Sequence, residues 1–368
     1  MPDHKIALQA GGTKYEGWES VRVTRSMGVV AGEFELRLYE QHSGAITDYR
    51  FGPGASCKIL IDDQTVISGW IDDLNPDYSA DHHEITVKGR DATADLADCS
   101  YIEDPQEWRN APLLTIVTDI CNPFSVGVTM AGVSPDKIEH FKINPGDLAL
   151  SAIVKVCRMA KALPLSYGDG RLTLTTAGQR TCSDRLVLGD NILAGNGTQS
   201  NRGRFSQYLV KGQGQGSNKE GWGHKEPEDY VYTKAETTDP VIQRYRPYLI
   251  LPGSQGSRKQ YKDLAEFEAS RRAGQSRRIT YTVQGWTQQS GDLWPLNAEV
   301  YVRDSFMGLN EKLLIESLDY TVDGSNGTRT TIGLVHPDAY ALEPVMANIK
   351  TPIDSGSFSK ADTTSYGL

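Results

Sequence analysis

Two stretches of this chain alternate apolar and polar residues with a period of two, in the same order of strands and turns. In residues 277–335, Ile279, Tyr281 and Val283 alternate with Thr280, Thr282 and Gln284, and Ala298, Val300 and Val302 with Glu299, Tyr301 and Arg303. Alternation bounded by turn residues marks half-buried strands, so this stretch reads as an antiparallel meander. Laid from Pro295, it matches the chain from Pro53. A strand at 57–61 answers one at 298–303, and a second apolar strand follows at 66–74 or 313–318. Asp77-Tyr78 answers Asp319-Tyr320, a polar gap and another strand come next, and Asp91-Ala92 answers Asp338-Ala339. The repeat constrains the chain to an α+β, mainly β fold with two similar antiparallel β-barrel domains. Three copies of such a chain would display six near-equivalent units, so a cyclic trimer would match a six-fold partner.

Between the two stretches the period changes. A short helix is expected at 91–98, with Asp91 as N-cap. A second runs over 112–121, with Pro112 in its first turn, where a missing N–H costs nothing. A third covers 148–161, where Leu148, Ala152, Val156 and Met159 or Ala160 recur at helical spacing. A hairpin at 165–175 turns on Gly168-Asp169-Gly170. Further on come a polar stretch at 195–201, a strand at 205–212, a glycine-rich loop at 212–223, a strand within 245–251 and a helix at 263–275. The expected organisation is therefore a first barrel at 1–95, an α/β module at 96–180, a second barrel at 181–225 and 277–340, an insertion with a helix at 226–276, and an extended tail at 341–368.

Composition narrows the function. The chain has 368 residues and a formal charge of −9, which disfavours nucleic-acid binding as the main task, since that relies on Lys and Arg neutralising phosphate. No apolar run approaches the roughly 20 residues that cross a bilayer, and residues 1–5 lack the apolar core of a secretory signal. No stable membrane binding is expected. The five cysteines are odd in number, widely spaced and never in a Cys-x-x-Cys pair, which points to buried thiols rather than a disulfide framework or zinc site.

No catalytic constellation stands out. His82 and His83, flanked by Asp81 and Glu84, point to opposite faces if extended and cannot readily share one metal ion. Asp62-Asp63 and Asp72-Asp73 could supply carboxylates for glycoside hydrolysis, but paired Asp beside turns more often serves the turn. Gly212, Gly214 and Gly216 lack the Gly-Lys-Ser/Thr of a phosphate loop. Arg202, Arg204, Lys211, Lys219 and Lys225 read as a solvated face or a protein interface. No catalytic, cofactor or metal residue is assigned, and no cofactor is expected.

The ordered set of segments resembles the Mu-like phage baseplate hub family. Gly89-Arg90-Asp91-Ala92-Thr93-Ala94-Asp95-Leu96 looks like the close of its first domain. Leu172-Thr173-Leu174-Thr175, Leu188-Gly189-Asp190-Asn191 and Arg204-Phe205-Ser206-Gln207-Tyr208 look like its middle. Arg244-Tyr245-Arg246-Pro247, Tyr281-Thr282-Val283-Gln284-Gly285-Trp286 and Leu293-Trp294-Pro295 look like the rest. The resemblance, over roughly residues 11–339, implies the structural hub of a contractile tail, located in the virion baseplate and assembled in the bacterial cytoplasm. It implies a homotrimer with two tube-like barrels per subunit in a pseudo-six-fold ring. The implied partners are the tail tube protein, a trimeric spike, other baseplate proteins, the tape-measure protein in the channel, and DNA only in transit. The alternatives are a tail-associated peptidoglycan-degrading enzyme using Asp62 and Asp72, and a receptor- or carbohydrate-binding module using Trp18, Trp108 and Trp222. In the tail, Ile349, Pro352, Ile353 and Phe358 stand in a polar segment, the pattern of a strip that orders on a partner. They are the candidate spike contact.

Overall fold

The computed structural model describes residues 5–39, 51–80, 83–134, 136–213, 232–252 and 257–344. The first unit holds β1 (Ile6–Ala10), β2 (Thr13–Tyr15), β3 (Ser20–Ser26), β4 (Glu33–Tyr39), β5 (Ser56–Ile61), β6 (Gln64–Tyr78) and β7 (His83–Asp91). A module follows with α1 (Ala94–Asp98), β8 (Glu107–Pro112), α2 (Leu113–Cys121), β9 (Gly127–Met130), β10 (Lys137–Lys142), α3 (Ala149–Met159), β11 (Leu163–Ser166) and β12 (Arg171–Thr175). Then come β13 (Arg180–Val187), β14 (Ile192–Gln199), β15 (Gln207–Gln213), β16 (Tyr232–Thr238), β17 (Pro247–Ile250) and α4 (Arg258–Gln275). The chain ends its regular structure with β18 (Arg277–Gln284), β19 (Ala298–Asp304), β20 (Leu309–Asp323) and β21 (Gly327–Val335).

The two β units have the same strand order. In the first, neighbours run β3-β4-β7-β6-β5-β1; in the second, β14-β18-β21-β20-β19-β13. Both carry a long central strand, β6 or β20, of 15 residues, hairpinned to one of 9. Both long strands shift register at one residue, between Ile71 and Asp73 and between Ile315 and Ser317. Such a bulge bends the strand and increases its twist, so each unit is curved at the same point. The units differ at their far edge, where β1 meets β5 antiparallel but β13 meets β19 parallel.

The two similar β units expected from the repeat are parts of one 13-stranded sheet, because β3 pairs with the second half of β20 and joins them edge to edge. The sequence match also shifts. Gly54 and Asn297 both have positive φ, and their amides donate to Ile71 and Ile315, the residues preceding each bulge. Gly54 therefore corresponds to Asn297, one residue away from an alignment on Pro53 and Pro295. Asp91 and Asp338 do not correspond, since Asp91 ends a strand and Asp338 lies in a short 3-10 turn after β21.

One apolar core runs under both units, with Val23, Leu36, Ile59 and Ile67 from the first and Tyr281, Val300, Leu318 and Leu334 from the second. The module has its own core, in which Ile116 and Ile120 of α2 face Ile153 and Val156 of α3. The strand expected at 205–212 in the second barrel lies outside the large sheet. As β15 it pairs with β16 and β17, and α4 covers it through Tyr261, Leu264 and Ala265. A capping box between Ser257 and Gln260 starts α4 ahead of the position expected at 263.

Candidate assembly surface

The seam between the units is built from β3 and β20, whose register sets Thr24 opposite Asp319 and Val23 opposite Tyr320. On the outer face, Arg22 grips Asp319 through Nε at 3.0 Å and Nη2 at 2.8 Å, and Thr24 Oγ1 donates to the same carboxylate at 3.1 Å. On the core side, Arg25 is buried. Its Nη1 donates to the Tyr167 carbonyl and its Nη2 to the Tyr320 hydroxyl, each at 2.9 Å, and Tyr320 donates in turn to the Trp294 carbonyl at 2.6 Å. Burial pushes the Tyr320 hydroxyl above its ordinary pKa, which keeps the donor proton in place. One arginine thus ties β3, the module and the second unit together.

A second tie is the carboxylate of Asp91, fully buried at the end of β7. It accepts from the Gly32 amide at 2.8 Å, the Ser166 hydroxyl at 2.9 Å, the Thr93 amide at 2.8 Å and the Thr93 hydroxyl. Burial pushes its pKa up and these donors hold it down, with burial the larger effect. The residue expected as the N-cap of α1 is therefore a junction between the β3–β4 loop, α1 and β11; the cap position itself falls to Thr93, which makes no side-chain cap bond.

Among the strand edges that lack a neighbour in the described residues are the equivalents of the two sides of the seam. β14 pairs only with β18, and its residues from Leu193 to Gln199 are all exposed. The second half of β6 pairs only with β7, and Asn75, Pro76, Asp77 and Tyr78 are exposed, Tyr78 to 80%. The sequence reading missed β14 as a strand, seeing a polar stretch at 195–201. Its core-facing positions are glycines: a Cβ on Gly195 would lie 2.8 Å from the Tyr281 ring, and one on Gly197 would lie 3.2 Å from Met307 Sδ. The apolar cover comes from those neighbours, so the strand itself shows no alternation.

The candidate chemical residues do not converge. Asp62 and Asp63 both adopt positive φ in the tight β5–β6 turn, and Asp62 accepts from the Lys5 amide. Asp72 sits at the β6 bulge, bound by Arg90 Nε at 2.8 Å. Trp108 is buried, with Nε1 donating to Asp119, and Trp18 packs partly buried against the main core, so neither offers a free ring to a sugar. Arg204 is engaged with Asp239 in a nearly buried pair. Cys57, Cys121 and Cys157 are buried as expected, whereas Cys99 is exposed. Among the described residues no cluster of His, Cys, Asp or Glu could hold a metal. A groove of about 1050 Å³ lies between the module, α4 and the segment after β21; Met27, Leu150, Phe267, Arg158 and Arg271 line it, a mixture suited to packing rather than catalysis. Ile349, Pro352, Ile353, Phe358, Trp222 and His82 lie outside the described residues, as does most of the loop at 212–223.

Comparison with known proteins identifies what such a scaffold is. Residues 5–91 match the N-terminal domain of the Mu phage baseplate assembly protein GpP-like family, residues 93–176 the second domain of the gp44-like baseplate hub proteins, and residues 257–343 the fourth domain of GpP. The baseplate hub protein gp44 of Escherichia phage Mu is 32% identical over 351 residues, covering 94% of this chain and 91% of that protein. This chain belongs to the Mu-type baseplate hub family. The hub also resembles the 43 kDa tail protein of prophage MuSo2 from Shewanella oneidensis, at 30% identity and a TM-score of 0.80, over 92% of this chain and 99% of that one. A tail protein from Neisseria meningitidis MC58 shares the fold, with a TM-score of 0.76 at 20% identity over 92% and 99% of the two chains. The hub is a structural component of the virion tail, and its relatives are hub and tail proteins rather than enzymes. No helix among the described residues is long and apolar enough to cross a membrane.

Proposed function

We propose that this hub forms a homotrimeric ring that adapts the six-fold tail tube to a three-fold spike and leaves a central channel for DNA and the tape-measure protein. The observation that carries this reading is the duplicated unit: six strands in the same order, with the bulge at the same place, twice in one continuous sheet. A ring of three such chains offers six similar faces to a six-fold partner and keeps three-fold symmetry for a spike. The spike contact is assigned in part to Ile349, Pro352, Ile353 and Phe358, and other baseplate proteins bind around the ring. The net acidic chain suits a channel that repels phosphate. Light scattering on the purified protein should give three times the 40.5 kDa subunit, and electron-microscope images should show six lobes. A stable monomer at micromolar concentration would overturn the reading.

A further inference from the structure

A groove where both β units meet the module holds buried donors that have no acceptor among the described residues. It measures about 920 Å³. Arg25 of β3, Tyr167 and Thr175 of the β11–β12 hairpin, Arg180 of β13 and Trp294 ahead of β19 line it. Among the described residues three buried side-chain donors lack an acceptor: Arg25 Nε, Trp294 Nε1 and Arg329 Nε. The first two belong to this one groove. Arg25 is 9% exposed and Trp294 2%. A single hydroxyl separates the two residues, since Tyr320 accepts from Arg25 Nη2 and donates to the Trp294 carbonyl.

Arg25 also lacks a counter-charge. A guanidinium keeps its proton in a protein, and a buried charge is costly unless it is paired. Nη1 and Nη2 donate to two neutral acceptors, the Tyr167 carbonyl and the Tyr320 hydroxyl. The Tyr320 ring, with its centroid 5.4 Å from Cζ, attracts the cation but leaves the Nε–H without an acceptor. Asp91 reaches Gly32 beside the arginine stem, where a Cβ on Gly32 would lie 3.2 Å from Cγ, yet its four donors do not include the guanidinium. The two carboxylates of the lining are committed to their own exposed turns, Asp169 to the Arg171 amide and Asp292 to the Ser290 hydroxyl. Arg180 is exposed, with Cζ 4.2 Å from the centroid of the Tyr167 ring, and adds a second positive charge to the rim.

We infer that this groove is a binding site for a small monovalent anion, which accepts from Arg25 Nε and Trp294 Nε1 and balances the arginine charge. Guanidinium and indole N–H groups donate only, so a cation would find no ligand in them. Both nitrogens are sealed from bulk water, which suits an ion of halide size rather than a bulky organic one. One buried positive charge, with Asp169 and Asp292 at the rim, suits a single negative charge rather than two. A bound water would satisfy the donors but leave Arg25 uncompensated, and it would give no response to chloride. The ion would sit where Arg25 already joins β3, the module and the second unit, so its binding adds to the stability of that junction.

Replacing gluconate by chloride at constant ionic strength tests the site in the full-length protein. A ligand that binds only the native state raises the midpoint with the logarithm of its concentration. For a chain of this length the thermal midpoint should rise by about 2 °C for each tenfold of chloride once the site begins to fill. Crystals soaked in bromide should show an anomalous peak beside Arg25 Nε and Trp294 Nε1. Trp294→Phe removes one donor and keeps an aromatic ring in the core, and Arg25→Met removes the charge and keeps the stem. Both should lose most of the chloride response; if Arg25→Met does not fold by circular dichroism, Trp294→Phe decides. Arg329→Lys removes the buried donor that lies outside the groove and should keep the full response. A midpoint that is the same in gluconate and chloride, a bromide-soaked crystal without that peak, or a chloride response unchanged in Trp294→Phe would overturn the site.

Discussion

Replacing Asp91 with alanine is the sharpest test of how the first unit is fastened to the module. The carboxylate is 0% exposed and accepts from two backbone amides and two hydroxyls. In Asp91→Ala the Thr93 and Ser166 hydroxyls can rotate toward other acceptors, but the Gly32 and Thr93 amides are fixed by the chain. Each buried donor left without a partner costs about 1–3 kcal/mol, so the loss should be about 2–6 kcal/mol. That is a factor of roughly 30 to 2 × 10⁴ in the opening equilibrium, at about 1.4 kcal/mol per tenfold. Asp91→Asn keeps one oxygen, and Ser166 can accept from the new amide, so only one backbone donor is orphaned and the cost should be about 1–3 kcal/mol. Hydrogen exchange at the Gly32 and Thr93 amides reads this locally, and denaturant unfolding reads it globally. Burial raises the Asp91 pKa from 3.8, so its ionisation removes native-state stability as pH rises from there through the raised value. The gap between wild type and Asp91→Asn should therefore narrow over that window. If Asp91→Ala lay within 1 kcal/mol of wild type, or Asp91→Asn were as damaging, the junction argument would fail.

Tyr320→Phe should cost about 1–3 kcal/mol, because it strands Arg25 Nη2 and the Trp294 carbonyl in a buried seam; an unchanged denaturation midpoint would contradict this. At pH 8 to 9 a small thiol reagent should label Cys99 in the native protein and leave Cys57, Cys121, Cys157 and Cys182 untouched until the chain is denatured. Burial pushes those four thiols up to about 12, so their protonated form adds stability below the ordinary thiol pKa that is lost only as pH climbs toward 12. Labelling of Cys121 or Cys157 at the rate of Cys99 would refute the burial argument. Deleting residues from 347 onward should leave the trimer intact and weaken attachment of the spike in a pull-down; unchanged attachment would remove the tail from the proposed contact.

The meander strands were legible because each has one face on the core and one in solvent, so Ile279, Tyr281 and Val283 declare themselves by alternation. β14 was not legible, because its core-facing residues are glycines roofed by Tyr281 and Met307; the hydrophobic signal sits on other strands. β16 was missed for a related reason: in its Tyr-Thr-Lys-Ala-Glu-Thr-Thr sequence, Ala235 is the one aliphatic residue. Asp91 looked like a helix cap from its immediate neighbours, but its decisive partners lie 59 and 75 residues away, beyond any local pattern. Nor could the sequence place β15, since a strand of ordinary composition reads the same whether it joins a large sheet or pairs under α4. The candidate chemistry of Asp62 and Asp72 dissolved once backbone geometry and Arg90 accounted for them.

Duplication within one chain lets equivalent strands diverge in chemistry while keeping their geometry. The seam inside the subunit carries an Arg22–Asp319 ion pair and the buried Arg25–Tyr320 network, and its two sides fold together as one polypeptide. The ion pair is exposed on the arginine side, at 62%, and such pairs contribute only about 0–1 kcal/mol. The inner seam is therefore held mainly by its buried residues and backbone ladder. At the equivalent outer positions stand Asn75, Asn196 and Thr198, with Pro76 in place of Tyr320. With Pro76 and two nearby aspartates, Asp73 and Asp77, the open edge of β6 resists casual strand addition.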